Sequence, residues 1–506
     1  MSSTDIRKEV VSVGKHSMIY VVGQALSRAV GFFMIPVYTR YISPTNYGAM
    51  DLIEILTAIV AFAISMGMAE SMSRFYYAEK DEAKRYTIIS TLIIGLGVIG
   101  LPVVLLFMAS AGPLARLVME GDEYQLYLQI SLLTTWFALL AQIGFTYLRI
   151  QYMAKLFVTL TTIQLVVALA LNIYFIVFLN WDIFGIFLST LISQALVGVV
   201  LIGTILVKVG LQFSPQSFWR LARFGLPLVP VQIGNMLGFV SNRLFLRWLG
   251  PADPAIALAQ VGIFSLGHKF AVIINRFINA PFNSFWGPRR LQLVAEDAPG
   301  TKETIARICT YALFCTTFAA LLLCAGIESV IQIMADPRYQ GAHGIVPFIA
   351  LTYVGLGLEP HLTTGMLHRG KTTSLTIIGM ISLAVAIVWN FLLIPRFGLL
   401  GAATSNLAAM VVREVLIYRV VQRIYPIPFE IGRLLALPTV GAVLYLLCLF
   451  VHFSSPYATL MARLTLASTF PFALFVVGFY HSEEIGFLRR SLRRGRPRVA
   501  AEFDGR

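Results

Sequence analysis

Fourteen apolar stretches follow one another along the chain, at roughly 16–42, 48–74, 86–111, 124–149, 154–179, 183–207, 222–249, 256–285, 305–327, 343–368, 372–394, 399–422, 431–453 and 457–481. Each is long enough to cross a bilayer's hydrocarbon core as a helix, which takes about 20 apolar residues. The joins are short and carry turn chemistry, as in SPTNYG at 43–48, NWD at 180–182, GPADP at 250–254 and PRFG at 395–398. The pattern predicts an all-α integral membrane protein of about 14 spans.

The basic residues test that count, because Lys and Arg gather in cytoplasmic loops. Connections are numbered alternately from a cytoplasmic N-terminal segment. The inside set then holds 28 of the 39 Lys and Arg, Arg289 and Arg290 among them, against only Arg40, Arg116, Arg247, Arg338 and Arg396 outside. The other 6 lie within spans. A miscounted span would scramble the alternation beyond the error, and no scrambling occurs. Both termini are expected in the cytoplasm.

Composition agrees: 58% of the 506 residues are hydrophobic and 13% charged, with a mean hydropathy of +0.78. A soluble domain carries about 25% charged residues. The opening MSSTDIRKEVVSVGKHS is polar for too long to be a signal-peptide n-region, so the first apolar segment is expected to stay. The net charge of +14 is largely topology, including the tail RRSLRRGRPR at 489–498. Nucleic acid is a weak reading of that tail. Anionic inner-leaflet lipid is the better partner, at about 1 kcal/mol per basic residue near the surface. Cys309, Cys315, Cys324 and Cys448 have neither metal spacing nor a His partner, and read as small apolar side chains.

Two correspondences point to an internal repeat. Arg40-Tyr41-Ile42-Ser43-Pro44 and Arg247-Trp248-Leu249-Gly250-Pro251 end spans one and seven, at an offset of 207. LNIYFIVFLNWDIFGIFLST (171–190) resembles WNFLLIPRFGLLGAATS (389–405), with Asn172 against Asn390 and Gly185 against Gly401. Spans one and seven run the same way, so the copies are parallel. Two six-helix lobes, 1–207 and 208–424, are expected, with helices thirteen and fourteen (425–481) and a basic tail (482–506) added. Parallel repeats are an architecture of alternating-access transporters, whose sites lie near midplane. In the first motif, Arg and the aromatic suit the outer interface, where a guanidinium can snorkel, and Pro ends the helix.

With a first span ending GFFMIPVYTRYISPTNYGAMDL (31–52), fourteen spans and a 6+6+2 plan, the chain resembles the multidrug/oligosaccharidyl-lipid/polysaccharide exporter superfamily. Within it, the chain is most similar to the polysaccharide-transporter branch, the Wzx-type oligosaccharide flippases. That resemblance implies two lobes around a central cavity. It also implies a substrate class, undecaprenyl-pyrophosphate-linked glycans moved outward for O-antigen (lipopolysaccharide), capsule or exopolysaccharide synthesis. A polysaccharide polymerase and a chain-length regulator are candidate protein partners.

Charges at bilayer depth cost about 2.5–3.5 kcal/mol on insertion scales, so they normally face protein or a watery cavity. In span eight, QVGIFSLGHKFAVIINRFINAPFNSFW, Lys269, Arg276 and Asn283 recur every seven residues and should share a face, flanked by His268 and Asn279. Span one offers Tyr20, Gln24 and Arg28 at i, i+4, i+8. At the repeat offset Arg28 corresponds to Asn235 in span seven, which joins Gln232 and Asn242 on a polar face. Arg28, Lys269 and Arg276, with Gln24, Asn235 and Asn283, are the candidate substrate-binding set. A diphosphate is an anion for which Arg offers a fork of donors and Lys a point charge. The bland alternative is that these groups pair with buried acids or carbonyls and hold helices together; that alternative applies most to Arg243.

The acids are fewer. Asp51 and Glu54 sit one turn apart near the outer end of span two, and Glu70 with Arg74 forms an i,i+4 pair at its inner end. Glu359 precedes Pro360 and His361 deep in span ten, where the proline is expected to kink the helix. Arg413-Glu414 lies mid-span in twelve. A buried acid suits proton or sodium coupling. Glu54 and Glu359 are therefore the coupling candidates, with the ion gradient or membrane potential as the driving force and no bound cofactor.

Three rivals remain. A lipid II flippase would share the spans and the cationic cavity. A cation-coupled multidrug exporter would want an acid-rich, aromatic cavity. A membrane polysaccharide polymerase or ligase would need a larger outer loop than 112–123 or 328–342. No Walker-type loop occurs, which speaks against ATP hydrolysis. The expected protein is not an enzyme.

Overall fold

The structure, a computed structural model, describes residues 31–296 and 299–486. Every regular element among them is helical, as a chain in lipid must be if each backbone group is to find its partner within its own segment. Eleven helices among the described residues are long and apolar enough to cross a membrane. The count is up to 12 if the bent pair Pro337–Gly344 and Val346–His368 is one span. They coincide with expected spans two to six and eight to fourteen. Span one is described only at its end, as Ile35–Tyr41. Span seven is the Val229–Leu249 helix, 21 residues long, which Gln232, Asn242, Arg243 and Arg247 make less apolar than the rest. The count of fourteen is thus not reached among the described residues.

The chain divides into two compact units. The first comprises Met1–Phe270, Met334–Ile349 and Thr373–Arg413; the second comprises Ala271–Ile333, Ala350–Thr372 and Glu414–Arg506. In the first, Asp182–Val209 packs along Gln125–Ile150 and Ala154–Ile173, and Pro44–Ser65 lies against Gln125–Ile150. In the second, Ala280–Glu296 packs on Glu359–His368, and Ile431–Leu449 packs on Pro456–Ala467 and Phe470–Val476. Arg463, 2% exposed, is anchored there by Glu328 at 2.6 Å and the Val451 carbonyl at 3.0 Å.

Several spans are interrupted. Span two breaks at Met66-Gly67, both left-handed (φ 48° and 62°), where a Cβ on Gly67 would stand 2.5 Å from the Gly225 carbonyl oxygen. Three spans carry a π-type turn, at Gly95–Ile99, Tyr174–Phe178 and Asn275–Asn279. The helix of span ten stops at Leu356 and restarts at Glu359. The restart suits Pro360, which cannot donate back to the preceding turn.

The repeat-matched residues share local environments in the second correspondence. Asn172 and Asn390 are both buried. Gly185 and Gly401 each allow the helix to lie against the segment before it, with a virtual Cβ 2.7 Å from Phe175 Cβ and 2.5 Å from the Leu393 oxygen respectively. The first correspondence diverges. Arg40 is exposed, as an interfacial snorkel should be. Arg247 is not: it is 3% exposed and paired with Glu120 at 3.0 Å. The acid supplied by the loop after Met119 makes burial of that second guanidinium tolerable.

Candidate functional site

The charged centre of the first unit is built by three helices. Gly48 and Gly262 let Pro44–Ser65 and Pro254–Ile274 approach until a Cβ on Gly48 would stand 1.9 Å from the Leu258 oxygen, and one on Gly262 2.0 Å from the Pro44 oxygen. Such small-residue contacts let membrane helices pack backbone to backbone. The approach brings Lys269 to Tyr47: Nζ donates to the phenol oxygen at 2.7 Å and stands 4.5 Å from the ring centroid. Tyr47 is itself fixed edge-on against Tyr339, whose hydroxyl donates to the Ile42 carbonyl at 3.0 Å.

One turn along from Tyr47, Asp51 Oδ2 lies 2.9 Å from Arg243 Nε, in a pair almost entirely out of solvent. The Arg243 guanidinium also lies 5.5 Å from the Phe264 ring centroid. Arg243 is therefore a structural partner rather than a free cation. Glu54, one turn further, makes no ion pair among the described residues and is exposed, although Lys269, Asp51 and Arg243 are all within electrostatic reach. Two cations and two carboxylates thus form one graded network, with Asp51–Arg243 closed and Lys269 and Glu54 available.

The other expected residues are placed as follows. Gln24 and Arg28 lie outside the described residues. Asn235 is a backbone position in Val229–Leu249. Its expected neighbour Asn242 is buried, its side-chain nitrogen 3.4 Å from the Ala402 carbonyl. In the second unit Arg276 is exposed on the Asn275–Asn279 π turn. That wide turn inserts one residue into the helical repeat, a rotation of about 100°. The seven-residue spacing therefore does not return Asn283 to the face of Arg276. Asn283 is half-buried, with its Oδ1 unpaired among the described residues. Asn279 is held between the Tyr353 carbonyl and the Thr316 hydroxyl, both at 2.9 Å. Glu359 is half-buried at the first position of Glu359–His368, where an acid is favoured by the exposed N–H groups.

Three residues were missed. Tyr47 could have been found: Tyr47, Asp51 and Glu54 follow i, i+4, i+7 along one helix face. Arg290 was counted in a loop but is 5% exposed within Ala280–Glu296, with Nε and Nη1 unpaired among the described residues. His361 is wholly buried against Phe282, at 6.0 Å between centroids. The depth of His361 in span ten was readable, whereas nothing in local sequence marks Arg290 as interior. Among the described residues no three His, Cys, Asp or Glu side chains gather as metal ligands.

Residues 13–293 match the family described as polysaccharide biosynthesis protein, which is more than half of the chain. The chain belongs to that family. No curated relative matches it by sequence. Among solved structures it is similar to a lipid II flippase, MurJ, in an inward closed conformation, at a TM-score of 0.71 and 13% identity, over 91% of this chain and 100% of that one. It is also similar to an inward-facing multidrug resistance MATE transporter of the MOP superfamily (TM-score 0.56, 14% identity, 81% and 96% covered). A third similar structure is a MOP superfamily transporter from Pyrococcus furiosus, described as having a binding pocket of reversed polarity (0.54, 13%, 85% and 96%). At such identities the likeness establishes the fold, that of a multi-span membrane transporter related to MurJ and MATE proteins.

Proposed function

We propose that this protein is a flippase. It moves undecaprenyl-pyrophosphate-linked oligosaccharide repeat units outward across the bacterial inner membrane by alternating access, with both termini in the cytoplasm. The observation that carries this reading is the family match over residues 13–293 on a transporter fold. Lys269 adds chemical support, since its ammonium is held by a phenol and not by an acid among the described residues, and an anionic headgroup is what such a group in a span can hold. Lys269 and Arg276, with Arg28, bind the diphosphate in this scheme. Glu54 exchanges a proton or sodium ion near Lys269 and resets the carrier, with Glu359 as a second exchanging group. Nothing in this cycle makes or breaks a covalent bond, so the protein acts as a transporter and not as an enzyme.

The test is flipping in proteoliposomes of a labelled undecaprenyl-pyrophosphate glycan, wild type against Lys269→Ala and Arg276→Ala. Robust flipping by wild type, lost at least tenfold in both variants with folding intact, is expected. Wild-type flipping that survives both changes refutes the binding set but not the flippase. The likeness to MurJ keeps lipid II as the second substrate reading. Transport of lipid II in preference to a glycan repeat unit decides for it. Efflux of an organic cation without flipping moves the protein to the multidrug side of the superfamily.

A further inference from the structure

A second charged feature lies apart from the transport centre, in the first unit. The segment after Asp182–Val209 is sewn onto the later turns of Glu82–Ile94. Ser90 donates to the Gly210 carbonyl at 2.8 Å and accepts from the Gln212 N–H at 2.9 Å. The Ser214 N–H donates to Thr91 at 3.0 Å. The chain then enters the amphipathic helix Pro215–Gly225, which buries Phe218, Leu221 and Ala222. Between this helix and residues 75–88 is a pocket of about 330 Å³, lined by Lys84, Arg220, Thr87, Gln216, Ser217 and Glu79 with apolar walls.

The acids of this corner are each engaged by their own segment. Glu79 Oε1 accepts the Lys80 and Asp81 N–H groups at 3.1 and 3.3 Å, Asp81 caps Ala83 N–H at 3.0 Å, and Glu82 accepts from the Tyr86 hydroxyl at 2.6 Å. The two pocket cations have no such partner. Lys84 makes no ion pair among the described residues, and Arg220 only stacks on Phe75, at 4.7 Å. Around the pocket, large apolar side chains stand in the open: Leu211 (76% exposed), Trp219 (66%), Leu226 (45%) and Phe213 (44%). An amphipathic helix with free basic groups and exposed Trp and Leu is the signature of a segment lying in the membrane interface.

We infer that the pocket between Pro215–Gly225 and the start of Glu82–Ile94 is a binding site for the phosphate headgroup of an anionic phospholipid of the inner leaflet. Lys84 and Arg220 hold the phosphate, the Ser217 hydroxyl and the Gln216 amide meet its oxygens or glycerol, and Trp219 and Phe213 enter the acyl boundary. The inference rests on the orientation proposed above, which puts residues 75–85 and 208–223 on the cytoplasmic side.

The test is native mass spectrometry of the full-length protein with phosphatidylglycerol or phosphatidylcholine. Wild type is compared with Lys84→Gln/Arg220→Gln, with Arg220→Lys as a conservative variant and Lys155→Gln as an exposed control. Retained phosphatidylglycerol adducts should fall at least fivefold in the double variant and little in Arg220→Lys or the control. Equal retention of the two lipids by wild type, or an equal fall in the control, overturns the site. Displacement of the lipid by millimolar inorganic phosphate also overturns it, since the pocket would then take a soluble anion. Protease access to the 208–223 linker from the outer side of oriented vesicles would refute the orientation alone, separately from the pocket.

Discussion

Breaking the ion pair between Asp51 and Arg243 from one side should cost the fold more than any other single change in the charged centre. Arg243 is 5% and Asp51 14% exposed at the side chain, and 2.9 Å separates Nε from Oδ2. At an effective dielectric of about 20 that separation gives a gross attraction of about 6 kcal/mol, most of it cancelled by the desolvation of both ions in the intact pair. The net worth of the pair is therefore small, whereas stranding one ion is expensive, at about 3–5 kcal/mol. Asp51→Asn is expected at the lower end, because the Glu54 carboxylate, within electrostatic reach of Arg243, partly compensates. Arg243→Gln belongs at the upper end, because it also removes the contact with Phe264. The double variant strands nothing and should be less destabilised than the sum of the singles by at least about 2 kcal/mol. The assay is reversible unfolding of the full-length protein in mixed detergent micelles, monitored by tryptophan fluorescence. Additivity of the two singles to within about 0.5 kcal/mol would refute a closed ion pair and restore Arg243 as a cation for the substrate.

Four further outcomes are expected. Gly262→Ala and Gly48→Ala each force a Cβ into a backbone carbonyl and should destabilise by about 1–3 kcal/mol in the same assay. Gly287→Ala meets nothing within 4 Å and should be neutral or stabilising by up to about 1 kcal/mol. Burial works against ionisation of Glu430, but the Thr310 hydroxyl, His481 and Arg433 outweigh it and hold the carboxyl below its usual range. Glu484 is likewise opposed by burial and held low by the Tyr311 hydroxyl, the His481 N–H and Arg433. Carboxyls lowered by folding stabilise above their unfolded pKa of about 4.3. Thermal stability should therefore hold at neutral pH and fall as pH drops through and below that value, and Arg433→Gln should flatten the loss. Glu54→Gln should abolish the dependence of glycan flipping on an imposed proton or sodium gradient while leaving substrate binding within about twofold, measured in vesicles and by lipid-glycan binding to purified protein.

The spans were readable because their cause is local. An apolar run of bilayer length admits little but a helix, and its ends are written as turn residues, as at Ser43-Pro44, where the Ser43 hydroxyl caps Asn46 N–H at 3.1 Å. The interruptions were not, because their causes lie far away in sequence. Met66-Gly67 breaks where the backbone of Gly225 passes, and Ser65-Met66-Gly67-Met68 carries no signal of it. The π turn at Asn275–Asn279 leaves the apolar pattern intact while rotating everything after it. A seven-residue spacing thus linked Arg276 and Asn283 correctly in sequence and wrongly in space.

Charge was readable in kind but not in partnership. Arg40 and Arg247 occupy matching places in a repeated motif, yet among the described residues only Arg247 meets an acid, Glu120, supplied from another loop. Lys269 read in sequence as a cation at depth, and Arg243 as the in-span cation most suited to a buried partner. Arg243 has Asp51 and is closed, and Lys269, among the described residues, is held by a phenol, Tyr47, and by no acid. Sequence shows which spans carry cations, and packing decides which of those remain free to meet a diphosphate. That distinction closes Arg243 against Asp51 and leaves Lys269 as the cation on which the proposed headgroup site depends.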